Sequence, residues 1–427
     1  MKIIKAIFIP GNSSFFFDDQ RAIKAGAVHD GFVYAGQPLT EGFLAIRTAG
    51  EAISILLVLE DGSIAIGDAC AVQYSGAGGR DPLFLASRYI PFMERYLRPL
   101  LEGFELSSFR ADANFFDQLE INGKRLHTAI RYGLTQALLD AHARAGGIFK
   151  TEVILREWNL PAHFQLVPLF GQSGDDRYES VDKMILKQVD ALPHGLINNI
   201  PDKLGRHGEK LHEYITFLVE RIRKIRQNPE YRPALHIDVY GTIGMIFNHN
   251  LEKIVDYLAG LSRFAQEFPL YIEGPVDMGE KNAQIEALLR IRNGLLAAGA
   301  PVKIVADEWC NTLEDVVDFT QTKCCDMVQI KTPDLGGIQN IVDAVIYCNQ
   351  HEMESYQGGT CNETDVSART CVHLALATHP QRMLVKPGMG FDEGLTIVRN
   401  EMNRMLALLA WKYGDTSCPN IRWNFVC

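Results

Sequence analysis

No stretch of the 427-residue chain approaches the ~18 consecutive apolar residues that a membrane-spanning helix needs, so no membrane partner is expected. Basic residues are not in excess. The net charge of -10 argues against nucleic acid, because phosphate binding requires a basic face. The nine cysteines include no CxxC pair, and adjacent Cys324 and Cys325 would point apart in either a strand or a helix. No disulfide framework or zinc site is expected, and reduced thiols suit a cytoplasmic protein. Neither a GxGxxG nucleotide turn nor the GK[ST] ending of a phosphate loop occurs where it would be needed, and no low-complexity segment is present. The opening MKIIKAIFIPGNSSFFFDDQ lacks a small-residue cleavage site and turns acidic at once, so it reads as a first strand and not a signal peptide. What is present is a hydrophobic content of 47%, enough to bury the core of a globular protein with room for two domains.

The first part, residues 1–160, reads as an α+β domain. Residues 2–9 form a strand, and 52–59 and 64–69 flank an Asp61-Gly62 hairpin turn. Residues 83–103 have helical spacing. Leu126, Ala129, Ile130, Leu134, Ala137, Leu138 and Ala141 recur at three- and four-residue steps, predicting a helix stopped by Gly146-Gly147. From residue 161 to 411 short β-rich runs alternate with longer helical stretches. Strands are expected at 164–169, 184–189, 234–239, 269–272, 302–306, 327–331, 353–357 and 383–386. Helices are expected at 206–227, 250–267, 279–298, 336–350, 363–378 and 392–411. Eight strand-then-helix units predict a (β/α)8 TIM-type barrel preceded by the α+β domain as a cap. The doubly wound open sheet is the rival, but the turn after the first strand, Phe170-Gly171-Gln172-Ser173-Gly174, does not fit its nucleotide fingerprint. The tail 412–427 has no helical period.

Barrel chemistry sits where strands end. The third, fourth and fifth strands end in HIDVYG, YIEGPV and VADEW, delivering Asp238, Glu273 and Asp307 to one rim at separations of 35 and 34 residues. Any one of these acids could merely cap a helix or pair with a lysine. Three in register would repel each other unless a cation joined them, and an all-oxygen set suits a hard divalent ion such as Mg2+. Strand parity does not separate Asp307 from Glu308.

The sixth strand reads MVQIKTPDLGG, with Gln329 and Lys331 on one face. A lysine beside a dication is a usable base, because the ion disfavours the ammonium form. The alternative is a lysine reaching out to solvent. The second strand, read as ending in DALPHG, puts His194 on the same rim, either as a structural residue or as a second base across the metal from Lys331. Two bases flanking a carboxylate-bound divalent ion suit proton removal beside a carboxylate, a pairing used throughout the enolase superfamily.

The strings HIDVYG, YIEGPV, VADEW, QIKTPDLGG, QGGTCNETD and LPHG resemble the methylaspartate ammonia-lyase family through almost the whole chain. Many enolase-superfamily relatives carry Lys-x-Lys on strand two, where this chain has Lys187-Gln188-Val189 and offers His194 instead. The resemblance implies reversible, Mg2+-dependent loss of ammonia from (2S,3S)-3-methylaspartate to give mesaconate, within glutamate degradation. It implies Asp238, Glu273 and Asp307 as metal ligands, Lys331 as the base at C3 and His194 as the base for the opposite face. Gln329 would bind one carboxylate, and Thr360 and Cys361 the other. Gln172 and Gln73 would surround the amino group, and Phe170, Tyr356 and Leu384 would line the space for the alkyl group. A homodimer and activation by a monovalent cation such as K+ are also implied. The glycine-rich QYSGAGGRD around Gln73 is either a lid from the cap or an ordinary loop, and core packing alone would account for Phe170, Tyr356 and Leu384. The rival readings are another superfamily enzyme, an acid-sugar dehydratase or racemase, and a non-catalytic barrel.

Overall fold

Alternation of apolar residues makes the first sheet. In the computed structural model, which describes residues 1–388 and 390–414, strand β1 (Ile3–Asp18) pairs antiparallel with β2 (Arg47–Leu59), and β2 with β3 (Ile64–Cys70). Ile53, Ile55, Leu57 and Leu59 of β2 are fully buried at every second position, the period of a strand with one face on a core. The Asp61-Gly62 turn closes the hairpin with Gly62 in the left-handed region (φ 84°). The helix α1 (Thr128–Gly146) packs across β3 and ends where expected, capped by Gly147 at φ 58°. Their backbones come so close that a Cβ on Gly133 would lie 2.3 Å from the Ala69 nitrogen, and one on Gly67 would lie 2.2 Å from the Gly133 oxygen.

The remainder is a closed barrel of eight parallel strands in chain order. They are β4 (Leu169–Phe170), β5 (Ala191–His194), β6 (Ala234–Asp238), β7 (Leu270–Glu273), β8 (Val302–Ala306), β9 (Met327–Ile330), β10 (Glu354–Gln357) and β11 (Arg382–Leu384). Helices α2 (Glu179–Leu186), α3 (Glu209–Ile225), α4 (Leu251–Ala265), α5 (Lys281–Ala297), α6 (Leu313–Thr322), α7 (Ile338–Gln350), α8 (Asp365–Thr378) and α9 (Asp392–Tyr413) follow the strands in turn. One apolar side chain from each strand meets in the barrel interior, Phe170, Tyr356 and Leu384 among them. The interior is therefore a packed core, and only the rim is open to chemistry.

Most expected elements hold in kind and shift at their ends, with three differences. The run 184–189 is not a strand. Residues 184–186 close α2, where Val181, Met184 and Ile185 are buried at helical spacing, and the second strand is the later Ala191–His194. The stretch 83–103 is two helices, Ala86–Tyr96 and Arg98–Leu101. The first barrel strand, expected at 164–169, is a third difference: it is Leu169–Phe170 and shares only residue 169 with that run. The last helix runs past 411 to Tyr413, where Lys412 pairs with Glu152 at 2.8 Å. Of the expected tail, 415–427 lie outside the described residues. Among the described residues no helix is long and apolar enough to cross a membrane.

Replacing Gly133 by alanine sets helix propensity against packing. Propensity favours alanine by about 1 kcal/mol, whereas forcing a methyl into a filled interface costs about 1–3 kcal/mol. Because the obstacle is strand backbone, which cannot swing aside, Gly133→Ala is expected to lower the melting temperature. A thermal melt followed by circular dichroism checks it, and a higher midpoint would refute the close-packing account.

Candidate active site

The parallel ladder aligns the acids. Asp238 is the partner of Glu273 across β6 and β7, and Asp307 follows β8 by one residue. One carboxylate oxygen from each of Asp238, Glu273 and Asp307 can be chosen so that all three lie within 4.8 Å of one another, and all three residues are buried. The donor set is entirely oxygen, which fits a hard divalent cation and not zinc, whose sites favour nitrogen and sulfur. Glu308 is not one of these three, although its charge bears on Asp238. It lines a neighbouring cleft with Lys24, Asp277 and Trp309, and burial, then the charge of Asp307, pushes its carboxyl up to about 7.

Each acid is held differently. Glu273 has both oxygens engaged. His236 Nε2 lies 2.7 Å from Oε2, while Gln329 Nε2 and the Tyr356 hydroxyl donate to Oε1 at 2.6 and 2.7 Å. The Tyr240 amide donates to Asp238 at 3.0 Å. Burial, then the charges of the neighbouring acids, drives Asp238 and Glu273 well above the ordinary carboxyl range. Burial pushes Asp307 the same way, but the charges of Lys331 and Arg80 outweigh it and hold this carboxyl low.

Lys331 Nζ lies 2.7 Å from Asp307 Oδ1 and 2.8 Å from Oδ2. His194, at the end of β5, lies with Nε2 3.4 Å from Asp238 Oδ2. Burial pushes its imidazole down to about 4, so it is neutral at physiological pH. Lysine and histidine thus reach the acid cluster through different acids, as the strand order predicts.

A cavity of about 60 Å³ opens on this rim. Asp238, Asp307, His194, Gln329, Lys331, Gln73, Gln172, Thr360, Cys361 and Leu384 all line it, so residues spread over the sequence from 73 to 384 converge on one small space. Phe170 and Tyr356 do not line it. Both are fully buried beneath, Phe170 stacked on His236 (centroids 4.2 Å apart, planes at 13°) and Tyr356 bonded to Glu273. They reach the site through those partners.

Family models described as the methylaspartate ammonia-lyase N-terminus and C-terminus match residues 1–159 and 162–411. The methylaspartate ammonia-lyase of Citrobacter amalonaticus is 63% identical over 412 residues, 96% of this chain and 100% of that one. Its crystal structure, containing (2S,3S)-3-methylaspartic acid, superposes with a TM-score of 0.94. The chain belongs to the methylaspartate ammonia-lyase family. It is therefore an enzyme, a carbon–nitrogen lyase. The magnesium complex of β-methylaspartase from Clostridium tetanomorphum is 54% identical, with a TM-score of 0.91 over 96% of this chain and 100% of that one. An L-Ala-D/L-Glu epimerase from Bacillus subtilis shares the fold alone, at 16% identity and a TM-score of 0.62 over 92% of this chain and 91% of that one.

Some members of the site carry no motif in the sequence. Arg80, from the glycine-rich segment of the cap, lines the cavity and donates to Asp334 of the β9 loop at 2.7 Å. Tyr240 and Leu196 also line it, each two residues past a predicted member, so adjacency was their signal. Lys386 is fully buried. Its ammonium donates to Glu363 Oε1 at 2.7 Å, to the Gly358 carbonyl at 2.7 Å and to Thr332 at 2.9 Å. Glu363 also accepts from Tyr132 of α1 at 2.8 Å. This pair ties the loop bearing Thr360 and Cys361 to both β9 and the cap. Removing one partner of such a buried pair costs about 3–5 kcal/mol.

The raised carboxyls make a pH prediction. A carboxyl whose folded-state pKa exceeds its unfolded one favours folding below the unfolded value and loses that contribution as pH rises through the folded one. Without metal, Asp238 and Glu273 therefore oppose folding progressively above about pH 4–5. A divalent cation binding only the folded state offsets this. Protein treated with EDTA is expected to lose melting temperature from pH 5 to pH 8 more steeply than protein with saturating Mg2+, and Glu273→Gln should reduce the difference. Parallel melting curves with and without the ion would rule the cluster out as a metal site.

Proposed function

We propose that this enzyme eliminates ammonia reversibly from (2S,3S)-3-methylaspartate to give mesaconate, with Mg2+ held by Asp238, Glu273 and Asp307. The observation that carries this reading is the pair of bases at the acid cluster, Lys331 at Asp307 and His194 at Asp238. When bound, the ion supplies positive charge that stabilises negative charge developing on the substrate carboxylate next to C3.

Lys331 Nζ, as the neutral amine, takes the C3 proton and becomes the ammonium. The elimination is stepwise: the electron pair released from that C–H bond is first delocalised onto the carboxylate next to C3, then returns to form the C2=C3 double bond as the C2–N bond breaks, and the nitrogen leaves with the pair of that bond as ammonia. Gln329 is fixed by Glu273 and Tyr356 and orients the carboxylate next to C3. Thr360 and Cys361 receive the other carboxylate, with Gln73 and Gln172 around the amino group and Leu384 beside the C3 methyl. Burial of the cavity keeps water from competing for these contacts. His194, neutral and at a different acid from Lys331, serves the epimer whose C3 proton points the other way. Family membership also supports a homodimer, activation by a monovalent cation such as K+, and a cytoplasmic role in glutamate degradation via methylaspartate.

Incubation with (2S,3S)-3-methylaspartate and Mg2+ should produce the ultraviolet absorbance of a conjugated diacid, abolished by EDTA; a folded, Mg2+-binding protein that produces none would leave the barrel and sink the reaction. Lys331→Ala is expected to cut kcat on this isomer by about 10²-fold or more, the range for a general base, with the fold intact. His194→Ala should suppress turnover of the C3 epimer far more than that of the (2S,3S) substrate. Equal losses on both would remove the division of labour between the two bases.

A further inference from the structure

The orientation of the Gln73 side-chain amide is dictated from outside the cavity. Its Nε2 donates to Asp18 Oδ2 at 2.7 Å. Its Oε1 is left on the side of Cys361, whose thiol donates to it at 3.4 Å. The reverse orientation would set the amide oxygen against the Asp18 carboxylate, oxygen to oxygen, and the NH2 group toward the cavity. Gln172 is held in the same sense. Its Nε2 donates to the carbonyls of Val385 and Gly388, both at 3.0 Å, so its oxygen is the free end. Two amides lining the cavity thus have their donors committed to protein acceptors, and their oxygens remain to receive N–H groups.

Asp18 is itself fixed. It ends β1 directly opposite Arg47, the first residue of β2. Arg47 grips it through two bonds, Nε to Oδ1 and an Nη to Oδ2, each 2.7 Å. The guanidinium carbon of Arg47 lies 5.0 Å from the ring centres of Phe32 and Tyr34, so cation–π attraction and burial hold the fork in place. The Asp18 amide also donates to the Gln73 carbonyl at 3.0 Å, and the Gln73 amide donates to Thr360 Oγ1 at 3.2 Å. The end of β1, the start of the glycine-rich segment and the β10 loop are therefore joined around one glutamine.

We propose that Asp18, held by Arg47, is a positioning residue for the leaving amine: it locks Gln73 with its amide oxygen toward the cavity, making it an acceptor for the ammonium of the substrate and for ammonia in the reverse reaction. This rests on the reading of the cavity as an amino-acid elimination site. A carboxylate in direct contact with the amine would bind it more strongly and retain it after C–N cleavage. An amide oxygen recognises the N–H groups without a full charge, and Asp18 supplies the polarity while its own charge is neutralised by Arg47.

The test is a double-mutant cycle between Asp18→Asn and Gln73→Ala, read in the addition direction with mesaconate and ammonia, after wild-type turnover of (2S,3S)-3-methylaspartate has been measured. Arg47 Nε uses Oδ1, while Arg47 Nη and Gln73 Nε2 share Oδ2, so an asparagine must set its NH2 group against at least one of these donors and loses the charge that strengthens the bond from Gln73, which weakens the lock. Asp18→Asn should raise the KM for ammonia roughly tenfold, within the range for one hydrogen bond to a charged group, and should change the KM for mesaconate much less. In the Gln73→Ala background it should add little, because its effect passes through Gln73. Equal proportional losses in both backgrounds, or equal shifts in both KM values, overturn the inference while leaving the function standing. A wild-type enzyme that does not turn over methylaspartate overturns both. If Asp18→Asn alone does not fold, the pair Asp18→Asn with Arg47→Met removes both buried charges, and it is read in the same cycle with the same expected outcome.

Discussion

Three buried carboxylates forced within 4.8 Å of one another are the constraint around which the rest is arranged. At about 4 Å two like charges repel by roughly 4 kcal/mol at the effective dielectric typical of protein sites, a large fraction of a domain's net stability. The barrel imposes this proximity because parallel neighbours in register bring Asp238 and Glu273 to the same height. What surrounds them is correspondingly rich in donors. His236, Gln329 and Tyr356 converge on Glu273, Lys331 on Asp307, and the Tyr240 amide on Asp238. The same repulsion that makes the cluster costly in isolation makes it a strong receptor for a cation, and a strong source of field beside a base.

The cap completes the site. Its outer wall brings Gln73 and Arg80, and each is anchored to a barrel loop, Gln73 at Thr360 and Arg80 at Asp334. Deeper in, Asp117 of the cap accepts from the Gly337 amide at 2.8 Å at the start of α7, and Tyr132 reaches Glu363 beneath the β10 loop. The barrel supplies the acids, the lysine and the histidine from strand ends, which are stiff. The cap supplies further lining groups from a segment anchored to the barrel loops. One rim of a barrel leaves the top uncovered, and the cap closes it with Gln73 and Arg80.

Much of this was legible in the residue pattern because the barrel translates spacing into place. One βα unit separates Asp238 from Glu273 and Glu273 from Asp307, so regular spacing in the chain became proximity at the rim. Gln329 and Lys331, two apart, kept the common face that strand geometry requires. The 184–189 run misled because a short apolar stretch does not separate helix from buried strand by composition. There the three- and four-residue spacing of Val181, Met184 and Ile185 was the better guide. Tyr356 was placed on the correct strand and Phe170 in the turn after the first one, whereas Phe170 ends that strand and both side chains lie in the barrel interior, since a residue's depth in the barrel depends on stagger between strands.

By itself, then, the sequence determined the barrel with its cap, and the three acids with Lys331 and His194 on one rim, because those follow from local periodicity and repeated spacing. Only the tertiary structure decided that Asp307 and not Glu308 is one of the three clustered acids, that Arg80 reaches Asp334, that Lys386 is buried against Glu363, and that Asp18 and Arg47 turn the amide of Gln73. Each of these depends on contacts between residues 23 to 254 positions apart, or on a single rotation about the backbone at a strand end. Neither leaves a period in the chain, because what sets it is the packing of one element against another.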